Sequence, residues 1–422
     1  MNKVLVIAYY FPPLGLSGVQ RTLKFVKYLR QYGWEPTVLT VSSRGYYAKD
    51  DSLMLECDKL GIEIIRTDSL DPNRFFRKQD IVPMPSERWR KFLSRVSDTF
   101  FIPDNKIGWK NIAVKKASEL ISKNKFDIIF ASAPPFSSFL IGKKLRDKFH
   151  IPLVLDFRDL WVDYPFKFYP TFLHKKWNMN LELKAIKSAD GIVVASRRIK
   201  EVLIRRYSFL RYNEVNLISH GFDPEDLQLE NKDKISLTNK MRFTYAGTFY
   251  ENITPEYFLE AAAKVLKEFP KLRGKIEFCF VGILNKDHLQ LLKKLELYDS
   301  VNICGYLPHK TCMNYLMASD VLWLMMREDL YSPGKIFEYI GTGKKILGCV
   351  PVGFMRDVIE EANGVVVDHE NVNDIASAIV ELYKQYEHKE LKGATEDVIA
   401  KYNRKELTGE LAKTFIKLLN VV

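Results

Sequence analysis

The chain begins with the short β-branched run Val4-Leu-Val-Ile-Ala8, followed by Tyr9-Tyr-Phe-Pro-Pro-Leu-Gly15-Leu-Ser-Gly18-Val-Gln and an amphipathic pattern over 19–32. A buried strand, a glycine-containing loop and a helix in that order are typical of a doubly wound parallel sheet. Glycine lets the backbone approach a ligand closely, and a helix N-terminus attracts phosphate. The loop does not read G-x-G-x-x-G, so a dinucleotide site is poorly supported and an ordinary turn is an equally good interpretation.

The same alternation of strand and helix continues along the chain and restarts near Arg242. In the first series, strands are predicted at Val4–Ala8, Thr37–Val41, Ile62–Arg66, Asp127–Ala131, Leu153–Phe157, Gly191–Ala195 and Val215–Ile218. In the second series, they are predicted at Phe243–Ala246, Ile276–Val281, Val301–Cys304, Val321–Met325, Lys345–Cys349 and Val365–Val367. Amphipathic patterns between them predict helices, among them 22–32, 112–123, 255–269 and 287–297.

This pattern predicts an α/β fold of two Rossmann-like doubly wound domains facing a cleft. The first domain is expected to cover residues 1–222 and the second 223–404, with the polar segment Asp223–Lys240 as a linker. A last amphipathic helix at about 405–419 follows no new strand, so residues 405–422 are candidates to pack back on the first domain.

Charge is distributed unevenly between the two predicted domains. The 422 residues carry a formal net charge of +12, with 47% hydrophobic and 27% charged residues. Residues 1–220 hold 38 Lys and Arg against 22 Asp and Glu, whereas residues 221–422 hold 26 against 30. One basic half and one near-neutral half suggest that the two domains meet different partners.

Targeting signals, membrane spans and disulfides are not indicated by the sequence. No stretch approaches the roughly 18 apolar residues that a membrane-spanning helix needs. The N-terminal run is too short for a signal peptide and is followed by two prolines. The five cysteines are scattered without a C-x-x-C pair, which argues against a disulfide framework or a zinc site. We therefore expect a cytoplasmic protein.

The segment 70–108 departs from the strand–helix pattern. It contains four prolines and the clusters Arg74-Phe-Phe-Arg-Lys78 and Arg88-Trp-Arg-Lys-Phe-Leu93. Basic residues beside aromatic ones suit an anionic membrane surface, and they also suit single-stranded nucleic acid. A solvated helical hairpin with its aromatic side chains in the core explains the pattern equally well. We expect no nucleic-acid partner, and association with the inner face of the cell membrane remains one interpretation.

The clearest local pattern for chemistry is Tyr331-Ser-Pro-Gly-Lys-Ile-Phe-Glu-Tyr-Ile-Gly-Thr-Gly343, which follows a predicted strand. Ser332 can cap a helix, Pro333 suits its first position, and Gly343 can end it. The amides of Gly334 and Lys335 and the Lys335 ammonium would then form a diphosphate site that needs no metal. Glu338, one turn on, can accept hydrogen bonds from two vicinal hydroxyls. A well-capped helix without a ligand is an equally good interpretation of this stretch alone.

No D-x-D motif occurs in the chain, so the sequence offers no typical diphosphate-bound divalent ion. We expect no metal and no cofactor, with a nucleotide diphosphate sugar as a substrate and with protein cations carrying the diphosphate charge.

Taken in order, several short motifs resemble those of GT-B fold glycosyltransferases of family 4, the group 1 transferases of bacterial surface polysaccharide synthesis. The resemblance covers nearly the whole chain. Its elements are the loop Gly15–Gly18, Asp156-Phe-Arg-Asp-Leu-Trp161, Ala189–Ser196, Ser219-His-Gly-Phe-Asp223, Tyr245-Ala-Gly-Thr248, Gly305-Tyr-Leu-Pro-His309, Ala318-Ser-Asp320 and Ser332-Pro-Gly-Lys-Ile-Phe-Glu338.

The resemblance implies roles for individual residues. Glu338 matches the second carboxylate of the family's E-x7-E motif, which holds the donor ribose, and Lys335 with Gly334 matches the diphosphate-binding part. Gly305 and Tyr306 match the loop that touches the nucleobase, and Gly18 matches the glycine facing the donor phosphates. Arg158 and Asp159 match groups near the transferred sugar or the acceptor. The donor-binding residues implied are Gly18, Gly247, Thr248, Gly305, Tyr306, Ser332, Pro333, Gly334, Lys335 and Glu338, and the catalytic ones Lys335, Glu338, Asp159 and Arg158.

Two departures from the family pattern bear on these roles. The first glutamate of E-x7-E falls on Leu330, with Glu328 or Asp329 as candidate replacements. The family's Arg and Lys after the first strand of the second domain are absent, so the diphosphate charge would rest on Lys335, the helix end, and Arg327 or Arg158.

The resemblance further implies a retaining transfer from a nucleotide diphosphate sugar to a glycan or polyprenyl-linked acceptor, as in lipopolysaccharide or capsule synthesis. Asp159 would orient the acceptor, unless it is a structural carboxylate paired with Arg158. His220 is interpreted as a hinge or packing residue. A nucleotide-sugar 2-epimerase and a non-catalytic sugar-binding partner of a transferase are the alternatives.

Overall fold

The computed structural model describes residues 1–15, 17–43, 49–72, 87–164, 167–228, 239–249, 253–328 and 333–420. The chain forms two compact units. The first comprises Met1–His220 together with Arg404–Val422, and the second comprises Gly221–Asn403. The residues of the predicted linker between 229 and 238 lie outside the described residues.

The first unit contains a seven-stranded parallel sheet. Its strands are β1 (Asn2–Ile7), β2 (Trp34–Val41), β3 (Glu63–Thr67), β4 (Ile128–Ala133), β5 (Leu153–Phe157), β6 (Gly191–Val194) and β7 (Val215–Leu217). The strand order is β3-β2-β1-β4-β5-β6-β7, so the order reverses between β1 and β4. Helices connect the strands as crossovers of parallel neighbours require. The central strands are buried on both faces, which explains their apolar, β-branched sequences.

The helices of the first unit cover the sheet and include the end of the chain. They are α1 (Gln20–Leu29), α2 (Asp51–Lys59), α3 (Glu87–Phe100), α4 (Lys110–Lys123), α5 (Ser137–Phe149), α6 (Phe172–Ser188) and α7 (Arg197–Arg206), with the last helix, Arg404–Leu419, in the same unit. That last helix inserts Phe415 between Trp34 and Phe130, with ring centroids at 5.0 and 5.6 Å. Burial of aromatic surface of this kind attaches a terminal helix firmly to a core.

The second unit contains a six-stranded parallel sheet in the order β10-β9-β8-β11-β12-β13. Its strands are β8 (Met241–Ala246), β9 (Ile276–Val281), β10 (Val301–Gly305), β11 (Val321–Met325), β12 (Lys345–Cys349) and β13 (Val365–Val367). Its helices are α8 (Glu256–Glu268), α9 (Lys286–Lys294), α10 (His309–Met317), α11 (Lys335–Gly341), α12 (Phe354–Glu361), α13 (Val372–Glu387) and α14 (Glu396–Lys401), so that the last helix of the chain is α15 (Arg404–Leu419). One apolar cluster packs on each face of the sheet.

The prediction of two Rossmann-like α/β domains is confirmed, and every strand predicted from the sequence is present. One local prediction is wrong: α11 begins at Lys335 rather than at Pro333. The carbonyls of Pro333 and Gly334 accept from the amides of Ile336 and Phe337 at 3.3 and 3.2 Å. Both hydrogen bonds join residues three positions apart, as in a 3-10 turn. The chain therefore passes through a tight turn before the regular helix begins. At the other end Gly343 has a φ of +67°, which ends the helix as predicted.

Candidate functional site

The order of the second sheet reverses between the neighbouring strands β8 and β11. In open α/β sheets, ligands bind at such a switch point, beyond the carboxyl ends of the strands. Gly247 and Thr248 follow β8 directly, and the turn at Pro333–Gly334 leads from β11 into α11. The topology therefore brings together several of the predicted donor-binding residues at one end of this sheet.

Lys335 is the central cation of this group. Its Nζ donates a hydrogen bond to the Tyr245 hydroxyl at 2.7 Å and lies 4.0 Å from the centre of the Tyr245 ring. Burial lowers the pKa of Lys335 from 10.5 to about 7, and the nearby charge of Glu338 opposes that shift only in part. An ammonium has three donors, and within the described residues one of them is used by the protein. Lys335 can therefore bind an anion that also restores its charge.

The position of the Lys335 ammonium depends on an aromatic floor and on a glycine. Tyr245 stacks on Phe249 at 4.2 Å between ring centroids and lies 4.8 Å from Trp323, so its hydroxyl is held in place. Gly247 has a φ of +134°, and a Cβ at this position would lie 2.7 Å from Lys335 Nζ. A side chain at 247 would therefore both strain the backbone and displace the ammonium.

Glu338 lies one turn after Lys335, and one of its hydrogen bonds comes from a residue of another helix. His309 Nε2 lies 3.1 Å from Glu338 Oε1, and His309 Nδ1 lies 3.8 Å from Asp226 Oδ2. The spacing of Lys335 and Glu338 on α11 would allow an ion pair. The described part of the chain shows none between them, although the charge of Glu338 still acts on the pKa of Lys335.

The remaining donor-binding candidates of the second unit follow other strands or lie outside the description. Gly305 ends β10 with a φ of +70°, and the half-exposed Tyr306 follows it. The loop from Gly305 leads into His309, which connects it to Glu338. Ser332 lies outside the described residues, as do Asp329 and Leu330.

Arg327, which the resemblance offers as a candidate to bind the diphosphate, forms an ion pair with Glu370. In the described ranges no cluster of three or more His, Cys, Asp or Glu residues is arranged to hold a metal ion.

Arg158 directly follows β5, and its guanidinium reaches the switch point between β1 and β4, where its hydrogen bonds go to the backbone. The guanidinium donates to the carbonyls of Ala133, Pro134 and Gly18, with the Nε–Ala133 bond at 3.2 Å. These carbonyls belong to the end of β4 and to the loops after β4 and β1. Burial lowers the pKa of Arg158. Gly18 and Arg158 are thus brought together, and the side chain fixes the two loops of the switch point.

Asp159 follows Arg158 in the chain, and the two side chains interact through their charges alone within the described residues. Neither a hydrogen bond nor an ion pair joins the two side chains within the described residues, because the guanidinium serves the three carbonyls. Burial raises the pKa of Asp159, and the charge of Arg158 opposes this shift. Asp159 as a carboxylate that interacts with Arg158 and Asp159 as a group that orients the acceptor both stay predictions.

His220 lies at the end of the first unit's sheet among arginines. Its pKa is held well below its usual value, chiefly by burial and further by the charges of Arg21, Arg404 and Arg158. Arg21 itself forms a buried ion pair with Asp156 at 2.8 Å and donates to the carbonyls of Ile218 and Ser219. A neutral imidazole in this position is a weak base and suits packing at the end of the unit.

Two contacts of the site did not follow from the sequence. Tyr245 and His309 both lie within short motifs of the sequence, but no sequence pattern indicates their partners. The Lys335–Tyr245 bond spans 90 residues and the His309–Glu338 bond spans 29. Only the register of strands and the packing of helices bring such residues together. The signals available were a polar aromatic residue at the carboxyl end of a predicted strand, Tyr245, and a histidine in the segment that follows the next but one, His309.

Comparisons with known proteins place the chain in a family. Residues 17–226 match the family model described as Glycosyltransferase Family 4, and residues 240–385 match the model described as Glycosyl transferases group 1. No curated protein matches the sequence of the chain.

Solved structures with a similar fold include three that cover nearly the whole chain. Sucrose-phosphate synthase from Thermosynechococcus elongatus has a TM-score of 0.69 and 16% identity, over 100% of both chains. HepE from Anabaena, in complex with UDP-glucose, has a TM-score of 0.64 and 14% identity, over 98% of this chain and 99% of that one. A putative UDP-N-acetylglucosamine 2-epimerase from Listeria monocytogenes has a TM-score of 0.61 and 14% identity, over 97% and 94%.

At these identities the structural matches show the fold alone, whereas the two family models together account for most of the chain in the order of its two units. The chain belongs to the GT-B fold glycosyltransferases of family 4, group 1.

Proposed function

We propose that this glycosyltransferase is a retaining enzyme that moves a sugar from a nucleotide diphosphate sugar to a glycan or lipid-linked acceptor in surface polysaccharide synthesis. The observation that carries the donor assignment is the Lys335 ammonium at the switch point of the second sheet. It lies beside a glycine that leaves room for it, and Glu338 follows one turn later.

The chemistry required of the donor site is stabilisation of negative charge on the leaving diphosphate. A preorganised cation in a site with little water is effective, because it needs no reorganisation as the charge develops. Helix α11 has seven residues and starts in a tight turn, so its dipole contributes little. The Lys335 ammonium therefore supplies most of the stabilisation in this proposal.

Glu338 is proposed to hold the ribose of the donor. A carboxylate offers about four acceptor positions, so it can accept from His309 and still accept from vicinal hydroxyls. HepE, which shares the fold, is described in complex with UDP-glucose, and this supports a nucleotide sugar as the ligand class. Transfer without a metal ion is part of the same proposal and predicts full activity in the presence of EDTA.

The donor assignment is tested by Lys335→Ala and Glu338→Ala, each expected to lower transfer by about tenfold or more. Lys286→Ala is the matched control, because Lys286 is an exposed lysine at the start of α9 in the same unit. Circular dichroism establishes that each variant folds. Transfer near the wild-type rate in both site variants would contradict the assignment.

The stereochemical proposal is retention, with the acceptor hydroxyl attacking from the face that the diphosphate leaves. The departing phosphate oxygen then takes the acceptor proton, and Asp159 orients the acceptor. Proton NMR of the first product formed shows its anomeric configuration directly, and an inverted product would refute this step. Incubation of the donor sugar alone separates the alternatives: epimerisation without an acceptor would favour a 2-epimerase, and binding without turnover would favour a non-catalytic partner.

The acceptor is proposed to lie at an anionic membrane surface, to which the first unit attaches. Within the described residues, no helix is long and apolar enough to cross a bilayer. Helices α3 and α6 instead expose large apolar side chains, a set we call the α3–α6 surface: Phe92, Leu93, Val96, Phe100, Phe172, Leu173 and Trp177. The cluster Arg74–Lys78 lies outside the described residues.

Two contacts join α3 to α6 and to the segment that precedes α6. His174 Nε2 lies 3.2 Å from the carbonyl of Thr99, and the Arg95 guanidinium lies 5.5 Å from the centre of the Phe168 ring. Phe100 and Phe172 are both 77% exposed, which is unusual for side chains of this size. The basic residues Lys175 and Lys176 are exposed beside them. Exposed rings together with lysines are the combination that binds anionic headgroups.

The membrane proposal is tested by sedimentation with vesicles of phosphatidylglycerol and phosphatidylcholine at low salt. We expect binding that weakens in phosphatidylcholine alone and at high salt, and that falls several-fold in the double variant Phe100→Ser with Phe172→Ser. Leu55→Ser, at a 60% exposed residue of α2, is the control. Absence of binding to anionic vesicles by the wild-type protein would end this part of the proposal.

A further inference from the structure

The charges of Lys335 and Glu338 are close in sequence but are held by different partners. Residues three positions apart on a helix are neighbours, and a lysine and a glutamate at this spacing normally attract each other. Here the ammonium is bound by the Tyr245 hydroxyl on β8, and the carboxylate is bound by His309 at the start of α10. Each charge is thus drawn towards a different element of the second unit.

His309 is positioned for this by its own surroundings. It is the first residue of α10, and its imidazole lies between two carboxylates, with Nε2 at 3.1 Å from Glu338 Oε1 and Nδ1 at 3.8 Å from Asp226 Oδ2. The three side chains are only about one-fifth exposed, with 18%, 22% and 21% of their surfaces accessible. Asp226 lies on the short 3-10 helix Pro224–Leu227, which the Asp223 side chain caps through the Glu225 amide at 3.0 Å.

We propose that His309 is a positioning residue, which holds the Glu338 carboxylate away from Lys335 so that both charges remain available to the donor nucleotide. Asp226 orients the imidazole so that its Nε2 faces Glu338. The inference rests on the proposed donor site for its role in binding, but the arrangement of charges exists without any ligand.

The physical reason is competition between internal and external partners. Without the bond from His309, the Glu338 side chain is expected to turn towards the ammonium on its own helix. An internal carboxylate at that place would neutralise Lys335 and would have to be displaced by the diphosphate, and it would no longer face the ribose. Loss of one imidazole would therefore weaken the contacts to two parts of the nucleotide.

The first measurement is the titration of the Lys335 ammonium by NMR of carbon-13 labelled lysine side chains in the unligated protein, with the signal assigned from Lys335→Arg. In His309→Ala the pKa of Lys335 should rise by about 1–3 units, the effect of an opposite charge at close range. In His309→Gln it should stay near the wild-type value, because the glutamine Nε2 can donate to Glu338 in place of the imidazole. His388→Ala, at an exposed histidine after α13, is the control.

The second measurement is calorimetric binding of UDP without metal. His309→Ala should weaken binding by about tenfold, and His309→Gln should recover most of the loss. An unchanged Lys335 titration in a folded His309→Ala protein would overturn the inference. If that variant does not fold, Asp226→Asn takes its place, with a smaller rise expected and no rise counting against the inference.

The two measurements separate this inference from the proposed function. If the wild-type protein binds no UDP while the Lys335 pKa still rises in His309→Ala, the donor assignment fails and the separation of charges stands. If UDP binds to the wild-type protein and the titration does not respond to His309, the donor assignment stands and the role of His309 is refuted.

Discussion

The guanidinium of Arg158 in the first unit and the ammonium of Lys335 in the second lie at corresponding places, each beside the strands where the order of its sheet reverses. The guanidinium donates to three backbone carbonyls of the loops around it. The ammonium has one hydroxyl as its hydrogen-bond partner in the described part of the chain. A planar group with five fixed donors suits a network of backbone acceptors, whereas a compact ammonium on a flexible stem can turn to a ligand.

The comparison shows that position in the fold does not by itself decide whether a cation binds a ligand. Both side chains follow parallel strands at the carboxyl edge, where ligands of such sheets bind. What differs is how far the protein already satisfies the donors. We therefore expect removal of Arg158 to lower mainly the stability of the protein, and removal of Lys335 to lower mainly its affinity for the nucleotide.

The largest effect is expected from Arg158→Met on stability. The variant leaves the carbonyls of Gly18, Ala133 and Pro134 without their charged donor, so the free energy of unfolding should fall by about 3 kcal/mol or more. Denaturation in urea measures it, with Arg197→Met as the control, because Arg197 is 66% exposed and pairs with Glu201 on the surface. A loss no greater than that of the control would show that the backbone bonds of Arg158 matter little.

Lys335→Met should have the opposite effect, with little change in stability and a large loss of affinity for UDP. The methionine keeps the apolar stem and removes the cost of burying an ammonium, so the free energy of unfolding should change by less than about 1 kcal/mol. Affinity for UDP, measured by calorimetry, should fall by about tenfold to a hundredfold, since a charge-assisted contact to phosphate is lost. Destabilisation as large as that of Arg158→Met would contradict the distinction between the two cations.

The sequence predicted the architecture well because each strand is a short buried run with its own flanking turns. β9, β11, β12 and β13 lie at the residues predicted for them. The predicted start of α11 is wrong because Pro333 suits the first helical position by propensity, while the backbone there forms a tighter turn. Propensity describes a residue alone, and the turn depends on how the chain arrives from the preceding strand.

The candidate site could be predicted only as a set of residue types. Lys335 and Glu338 were identified from their spacing, but the hydroxyl of Tyr245 and the imidazole of His309 reach them through contacts that the sheet and helix packing create. The hydrogen bonds from Arg158 to backbone carbonyls could not be predicted either, because every residue has a carbonyl and no side-chain pattern indicates which of them accept. The sequence therefore indicated which groups carry charge, and the fold determines which of them are already satisfied.

Each of the two cations has a glycine beside it, Gly247 near Lys335 and Gly18 near Arg158, and the two glycines differ in how close a side chain would come to the cation. Gly247→Ala places a Cβ at a φ of +134° and 2.7 Å from the Lys335 ammonium, so we expect a loss of about 1 kcal/mol in stability and weaker UDP binding. Gly18→Ala places a Cβ 3.5 Å from Arg158 Nη1, an ordinary contact, and stability should change by less than about 0.5 kcal/mol. Urea denaturation of the two variants checks both values. Equal losses would mean that the close approach at Gly247 is not required.

The smallest effect is a dependence of UDP affinity on pH that only the second cation can produce. Lys335 has a pKa of about 7, so above pH 7 the unligated side chain is increasingly neutral and binding of the diphosphate must take up a proton. The nucleotide phosphate is already fully ionised above about pH 7.5, so affinity should fall roughly fivefold between about pH 7.5 and 8.5 in calorimetric titrations. Lys335→Arg stays charged throughout and should bind without that slope.

In the unligated protein, the lowered pKa of Lys335 makes stability increase with pH, whereas the affinity for UDP decreases with pH. The unfolded lysine keeps its proton up to about its ordinary pKa of 10.5, so the unfolded state binds more protons between the two values and the contribution of Lys335 to stability increases with pH in that window. In the wild-type protein, affinity should fall with pH while stability rises, and both trends should be absent in Lys335→Arg. This result would identify Lys335 as a cation whose charge the fold suppresses and the ligand restores. A pH slope that persists in Lys335→Arg would assign the proton to another group and remove the contrast with Arg158.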